Sequence, residues 1–249
     1  MQGIDLGQVM FIWANVEQDT SKLEDEPPVL PAHVQAAPPE AQAHMEARFV
    51  RKAQFFDAYR TVRSVSMLLD QACVHLVNPI AQAGWPTGPC SVGTGHGASD
   101  LNSGDEAWLV DAFWGNANAN TFGASCLAGW QIDTRTIPLM IGKAMYYDIA
   151  VPDGYLMDPL KRWPTTGTIL SVDALYHQGI RGDLRPLPEL ADLLEWWGVQ
   201  NNGNVAYPLP HELAKASFET WRQVGCRSVE LYLYGMRDIV RKYYGYPER

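Results

Sequence analysis

The chain has 249 residues, 47% of them hydrophobic and 11% aromatic, a length and apolar content that suit one large domain with a buried core and exclude wholesale disorder. Nineteen Lys and Arg stand against 28 Asp and Glu, for a formal charge of −9, which excludes a globally basic nucleic-acid-binding coat. The charge is unevenly spread: residues 64–134 contain neither Lys nor Arg, so that span offers phosphate no cationic side chain except a protonated histidine.

Residues 1–40 read as an extended acidic, Pro-rich arm. Glu24-Asp25-Glu26 runs into Pro27-Pro28, with Pro31 and Pro38-Pro39 after it, a composition that favours solvated extended chain over helix. The apolar Phe11, Ile12 and Trp13 near its start are expected to anchor the arm against a neighbouring subunit. From Pro39 onward, Phe55, Tyr59, Val62, Ser66, Leu69, Cys73 and Leu76 follow 4-3-4-3 spacing up to Asn78-Pro79, which predicts one long amphipathic helix over 41–77.

Gly, Asn, Ser and Pro dominate residues 84–136 and read as long loops around short strands. Ile137–Ile141, Met145–Val151 and Thr168–Tyr176 look β-like, so 84–185 is taken as loop- and strand-rich. The span 188–245 reads as helical: Pro188–Trp197, Pro210–Val224 and Ser228–Tyr244, each followed by Gly. Residues 41–249 are thus expected to form a single globular domain. The fold class is α+β: a β-rich middle with a jelly-roll-like sheet, a long N-terminal helix, a helical C-terminal region and the extended arm.

Motifs for catalysis and metal binding fail on spacing. Gly93-Thr94-Gly95-His96-Gly97 lacks the Lys-Ser/Thr ending of a phosphate loop, and His211-Glu212-Leu213-Ala214-Lys215 has Lys where a second zinc ligand must sit. The four cysteines, Cys73, Cys90, Cys126 and Cys226, form no C-x-x-C pair and read as buried reduced thiols. The six histidines show no i, i+4 pairing, so no catalytic set, metal site or cofactor is expected. Arg181-Gly182-Asp183 reads as a charged turn.

The closing helix combines cations and rings: Arg237, Arg241 and Lys242 are interleaved with Tyr243 and Tyr244. Such a set serves single-stranded nucleic acid, with charge for phosphate and flat faces for bases, or an assembly contact.

Two further blocks, Leu193-Leu194-Glu195-Trp196-Trp197-Gly198-Val199 and Val229-Glu230-Leu231 leading into Gly235–Tyr244, resemble the microvirus major capsid protein. Tyr147-Asp148, Pro152-Asp153-Gly154 and Val172–Tyr176 before Arg181 fall in the same order, so the resemblance spans residues 142–246. It implies a jelly-roll capsid subunit rather than an enzyme. The expectation is a structural protein of a viral particle, a homo- or hetero-oligomer with other virion subunits, assembled in the host cytoplasm. A local contact with single-stranded nucleic acid is allowed; no apolar run of ~18 residues and no signal peptide are seen, so no membrane is expected. The alternative is an enzyme or a small-molecule or sugar-binding protein with an aromatic-lined pocket around Trp108, Trp114 and His96, with Trp85 and Trp130 nearby.

Overall fold

The computed structural model describes residues 5–18, 29–53, 60–80, 83–86, 88–94, 97–118, 126–152, 155, 169–179, 190 and 212–244. Seven strands form a single mixed sheet: β1 (Val9–Gln18), β2 (Arg60–Leu69), β3 (Ala72–Val77), β4 (Cys90–Thr94), β5 (Gly97–Ser103), β6 (Cys126–Gly129) and β7 (Ile169–Ser171). Their order across the sheet is β4-β5-β3-β2-β1-β6-β7. The strands β1, β2 and β3 form an antiparallel meander. Beyond it, β5 lies parallel to β3, with β4 antiparallel at the edge. On the other side of β1, both β6 and β7 run parallel to it.

Helices cover both faces. Alternation along β1 sends Val9 and Phe11 to one core and Met10 and Ile12 to the other, as the two-residue period of a strand requires. On the second face, α2 (Glu106–Ala117) buries Leu109, Val110, Phe113, Trp114 and Ala117, and α3 (Ile137–Tyr146) buries Ile137, Leu139, Met140 and Ala144. On the first, α4 (Val172–Gly179) contributes Val172 and Leu175, and α5 (Cys226–Tyr243) contributes a stripe from Cys226 and Val229 to Ile239 and Val240. A strand with helices on both sides is apolar on both faces. Helix α1 (Pro39–Ala53) precedes β2.

The α+β class holds, but the internal arrangement differs from the sequence reading in several places. There is no jelly roll among the described residues, since one sheet sandwiched by helices replaces two stacked antiparallel sheets. The helix expected over 41–77 stops at Ala53, and 60–77 is the β2–β3 hairpin. Residues facing both sides of β2 are buried, so its apolar positions fit a helical spacing as easily as a strand. The turn at Asp70, with φ 52, closes the hairpin.

The arm is also corrected. Residues 9–18 form β1, an interior strand flanked by β2 and β6; Phe11 and Ile12 are 1% and 3% exposed and Trp13 packs its ring 4.8 Å from Tyr232. These three side chains are core, not an assembly anchor. The acidic run 24–26 lies outside the described residues.

Two segments expected as loop or strand are helices. The clusters around Trp108 and Phe113 fuse into α2, whose first turn is capped by Asp105 accepting from the Trp108 N–H at 2.8 Å. Ile137–Tyr146 is α3, with Pro138 in its first turn, where a missing N–H costs nothing. Of Thr168–Tyr176, Ile169–Ser171 is strand and Val172–Tyr176 begins α4, while Thr168 lies outside the described residues. The closing helix forms as expected, two residues earlier at its start; Pro188–Trp197 lies outside the described residues except Leu190. No helix of the described residues is long and apolar enough to cross a membrane.

Candidate functional site

The sheet reverses its winding between β1 and β6. From β1 the chain builds outward through β2 and β3 to the β4–β5 edge, then returns to place β6 and β7 on the opposite side. In open α/β sheets, ligands bind beyond the carboxyl ends of the strands at such a switch point. Here β1 outruns its neighbour: the last β1–β6 pair is Ile12 with Gly129, and Trp13–Gln18 continue past it. Gly129 permits the approach, because a Cβ there would lie 2.9 Å from the Ile12 carbonyl oxygen.

The residues leaving β6 and β7 at this edge are polar and tightly bonded. Gln131 has φ 51, a left-handed conformation unusual for a residue with a Cβ, and donates its backbone N–H to Asp173 Oδ1 at 2.9 Å. The Ser171 hydroxyl lies 2.6 Å from Asp173 Oδ1 and 2.7 Å from Asp133 Oδ1, so its single proton serves one carboxylate at a time. The chain then enters α3 through a π-helical run, Ile132–Thr136, a geometry concentrated at functional sites. On the overhang of β1, Asn15 is buried and Glu17 accepts from Arg63 Nε at 2.7 Å.

A second polar cluster lies inside the first core. Cys73 and His75, two apart on β3, face Glu230 of α5, and all three are at most 5% exposed. Their ligand atoms fall within 4.8 Å of one another, and among the described residues they form the group of His, Cys, Asp and Glu able to hold a metal. His75 Nε2 is 3.6 Å from Cys73 Sγ and 3.7 Å from Glu230 Oε1, while its Nδ1 is 2.8 Å from Ser66 Oγ. Ser99 donates to Glu230 Oε1. Burial pushes the Glu230 carboxyl up, but the favourable influence of His75, Ser99 and Thr94 beside it outweighs that and holds the group below its ordinary range. Burial and the Glu230 charge push the Cys73 thiol well up.

A third buried set is a structural clamp. Glu106 at the start of α2 accepts from the Val62 N–H at 2.6 Å, from Lys143 Nζ at 3.0 Å and from the Tyr147 hydroxyl at 2.6 Å. It ties α2, α3 and β2 together.

Of the expected contact residues on the closing helix, Arg237 and Arg241 are engaged within the fold. Arg237 donates to the Asp70 carbonyl at 2.7 Å, bracing the β2–β3 turn, and Arg241 lies 3.2 Å from Asp238. Lys242, Tyr243 and Tyr244 are exposed at the end of α5, the two rings packed edge to face at 5.1 Å. The described tryptophans divide between the two faces of the sheet: Trp114 is 2% exposed and lies in the second core, donating to the Met140 carbonyl, while Trp85 and Trp130 pack against the first core. Trp108 is on the surface of α2, and His96 lies outside the described residues.

Sequence reasoning missed Asn15, Glu17, Gln131, Asp133, Ser171 and Asp173 at the switch point, and the Cys73–His75–Glu230 cluster. Cys73-x-His75 carried the signal for the latter, because two residues apart on a strand share a face; a helical assignment hides it. No protein-family model matches the chain, and no curated protein matches it.

Proposed function

We propose that the protein binds a small ligand at the edge formed by the carboxyl ends of β1, β6 and β7, as an enzyme or binding protein. The observation that carries this reading is Gln131, a non-glycine residue held in left-handed backbone by Asp173 where the sheet reverses its winding. That conformation costs about 1–2 kcal/mol, and such strain concentrates where geometry serves a function. Beside it stand the carboxylates Asp133 and Asp173 and the Ser171 hydroxyl that links them. Carboxylates oppose an anionic ligand and accept from hydroxyls, so the ligand class is a neutral polyhydroxylated molecule such as a sugar.

Saturation-transfer NMR with a panel of neutral mono- and disaccharides tests this. Transfer to at least one sugar is expected, weakened about tenfold or more by Asp133→Asn or Ser171→Ala, since a bond to a charged group contributes about 1.5–3 kcal/mol. No transfer from any sugar, or transfer that both variants leave unchanged, overturns the reading.

A second reading, a structural subunit of a viral particle working through contacts with other virion subunits, is favoured by the outer surface of the α2–α3 layer. There Met145 and Tyr146 are 78% and 67% exposed and Trp108 is 37% exposed, an apolar presentation typical of contact surfaces. The resemblance over 142–246 supports it as well. Light scattering on the purified chain is expected to give a mass above 27.8 kDa that falls to the monomer value in Met145→Glu/Tyr146→Glu; a wild-type monomer at high concentration removes this reading.

A further inference from the structure

Between β3 and α5 the interior holds a donor set with no apolar explanation. Strand alternation puts Cys73 and His75 on one face of the sheet, and α5 lays Glu230 over them. The three are 5%, 0% and 1% exposed. A tetrahedral zinc ion, with metal–sulfur and metal–nitrogen bonds of about 2.3 and 2.05 Å, places those two ligand atoms about 3.6 Å apart. Cys73 Sγ and His75 Nε2 are 3.6 Å apart. The Nε2–Oε1 separation of 3.7 Å is a few tenths wider than the roughly 3.3 Å that the same geometry gives nitrogen and oxygen.

Two independent details point into the cluster. The His75 Nδ1 is engaged by Ser66 at 2.8 Å; with Nδ1–H donating to that hydroxyl, the Nε2 lone pair faces Cys73 and Glu230, the orienting arrangement usual for a ligating histidine. Glu230 Oε2 is fully buried and, among the described residues, meets no donor at hydrogen-bonding geometry. An unsatisfied buried carboxylate oxygen is costly, and a cation is the partner that the surrounding thiol and imidazole select.

We infer that Cys73, His75 and Glu230 bind one divalent, thiophilic cation of the zinc class. Sulfur, nitrogen and oxygen donors together suit zinc or cobalt rather than magnesium or calcium. Binding replaces the Cys73 S–H bond with a sulfur–metal bond and releases that proton to solvent, without change of oxidation state. One thiolate and one carboxylate neutralise the dication, so the filled site carries no net charge in the interior. Because β3 and α5 are joined at residues far apart in sequence, binding contributes to folding stability. The site is separate from the carboxyl edge of β1, β6 and β7 and does not depend on what binds there.

Cobalt(II) is the probe. Full-length protein is freed of metal with a chelator and titrated with Co²⁺, followed by near-ultraviolet thiolate-to-cobalt charge transfer and visible ligand-field absorption. Metal content and melting temperature are measured in parallel with Zn²⁺. The expected result is one ion per chain, tetrahedral visible bands, a charge-transfer band absent in Cys73→Ser and retained in Cys90→Ser and Cys126→Ser, and a rise in melting temperature with Zn²⁺. Glu230→Gln is expected to weaken Co²⁺ binding at least tenfold while retaining the charge-transfer band. Circular dichroism checks that each variant folds, and the wild-type stoichiometry stands without any variant. Wild-type protein that takes up no Co²⁺, or a charge-transfer band that survives Cys73→Ser, overturns the assignment and leaves the cluster a hydrogen-bonded network only.

Discussion

Replacing Lys143 by Met tests whether the Glu106 clamp holds the second helical layer to the sheet. Lys143 and Glu106 side chains are 1% and 7% exposed, with Nζ 3.0 Å from the carboxylate. Methionine keeps most of the lysine stem and removes the ammonium, so the change is in charge rather than volume. Glu106 is then left in the interior with two neutral donors, the Val62 N–H and the Tyr147 hydroxyl, each at 2.6 Å. Burial, together with the bond to Glu106, pushes the Tyr147 phenol up, which keeps that donor protonated. Breaking a buried pair on one side costs about 3–5 kcal/mol, and the two remaining donors place this case near the lower end. For a domain of this size, about 3 kcal/mol corresponds to a drop in melting temperature of roughly 6–12 °C. Urea unfolding followed by circular dichroism measures the loss directly. The double variant Glu106→Gln/Lys143→Met removes both charges while leaving an amide oxygen to accept from the Val62 N–H and an amide NH2 to donate to the Tyr147 hydroxyl, and it is expected to recover more than half of the loss. A single variant within about 0.5 kcal/mol of wild type, or a double variant no better than the single, refutes the claim that an uncompensated buried charge is the cause.

Three further outcomes follow from the same structure. Gly129→Ala is expected to destabilise by about 1–3 kcal/mol through overpacking, because the new methyl group meets the Ile12 carbonyl at 2.9 Å and the Ile132 Cβ at 3.1 Å; urea midpoints unchanged from wild type refute it. Gln131→Gly, in contrast, is expected to leave stability unchanged or raise it by up to about 1 kcal/mol, since glycine adopts φ 51 without a Cβ penalty, and a loss above 1 kcal/mol in thermal unfolding shows that the Gln131 side chain is itself needed. Burial pushes the Cys126 thiol up to about 11 and the Tyr155 phenol up to about 12. The unfolded chain therefore loses these protons first, and stability present below about pH 9 falls as pH rises toward 11–12. Each group contributes up to about 1.4 kcal/mol per pH unit above its unfolded value, and a Cys126→Ala/Tyr155→Phe variant whose melting temperature falls between pH 9 and 11 as steeply as wild type shows the cause lies elsewhere.

What the sequence made legible depended on how one-sided each segment is. Helix α5 was readable because its apolar stripe from Cys226 to Val240 faces one core and leaves Arg227, Arg241 and Lys242 outward, so the 3.6-residue period survives in the sequence. The hairpin β2–β3 was not, because helices cover both faces of the sheet: Val62, Val65 and Met67 fill one core, while Leu68, Cys73 and Val77 fill the other. Burial on both faces erases the two-residue alternation, and the remaining apolar spacing happens to match a helix. The same cause relocated β1, where Phe11, Ile12 and Trp13 read as an apolar tip of an arm but sit in an interior strand.

Both candidate sites follow from that hidden sheet. The parallel alignment of β6 with β7 brings Gln131 and Asp133 to Ser171 and Asp173 from two separate parts of the chain, and no local spacing encodes that juxtaposition. Glu230 is likewise separated in sequence from Cys73 and His75 by most of the chain. Placing 60–77 in a helix sends Cys73 and His75 in different directions, whereas the strand puts them side by side facing α5. One error of secondary structure therefore hid the donor cluster as well as the topology. Ser66, on the neighbouring strand opposite His75, fixes the ring through Nδ1 only in the strand register. The test of the hairpin and the test of the cation site thus meet at one residue: Ser66→Ala removes the bond that orients His75, and is expected to weaken Co²⁺ binding while the hairpin, held by its backbone ladder, stays folded.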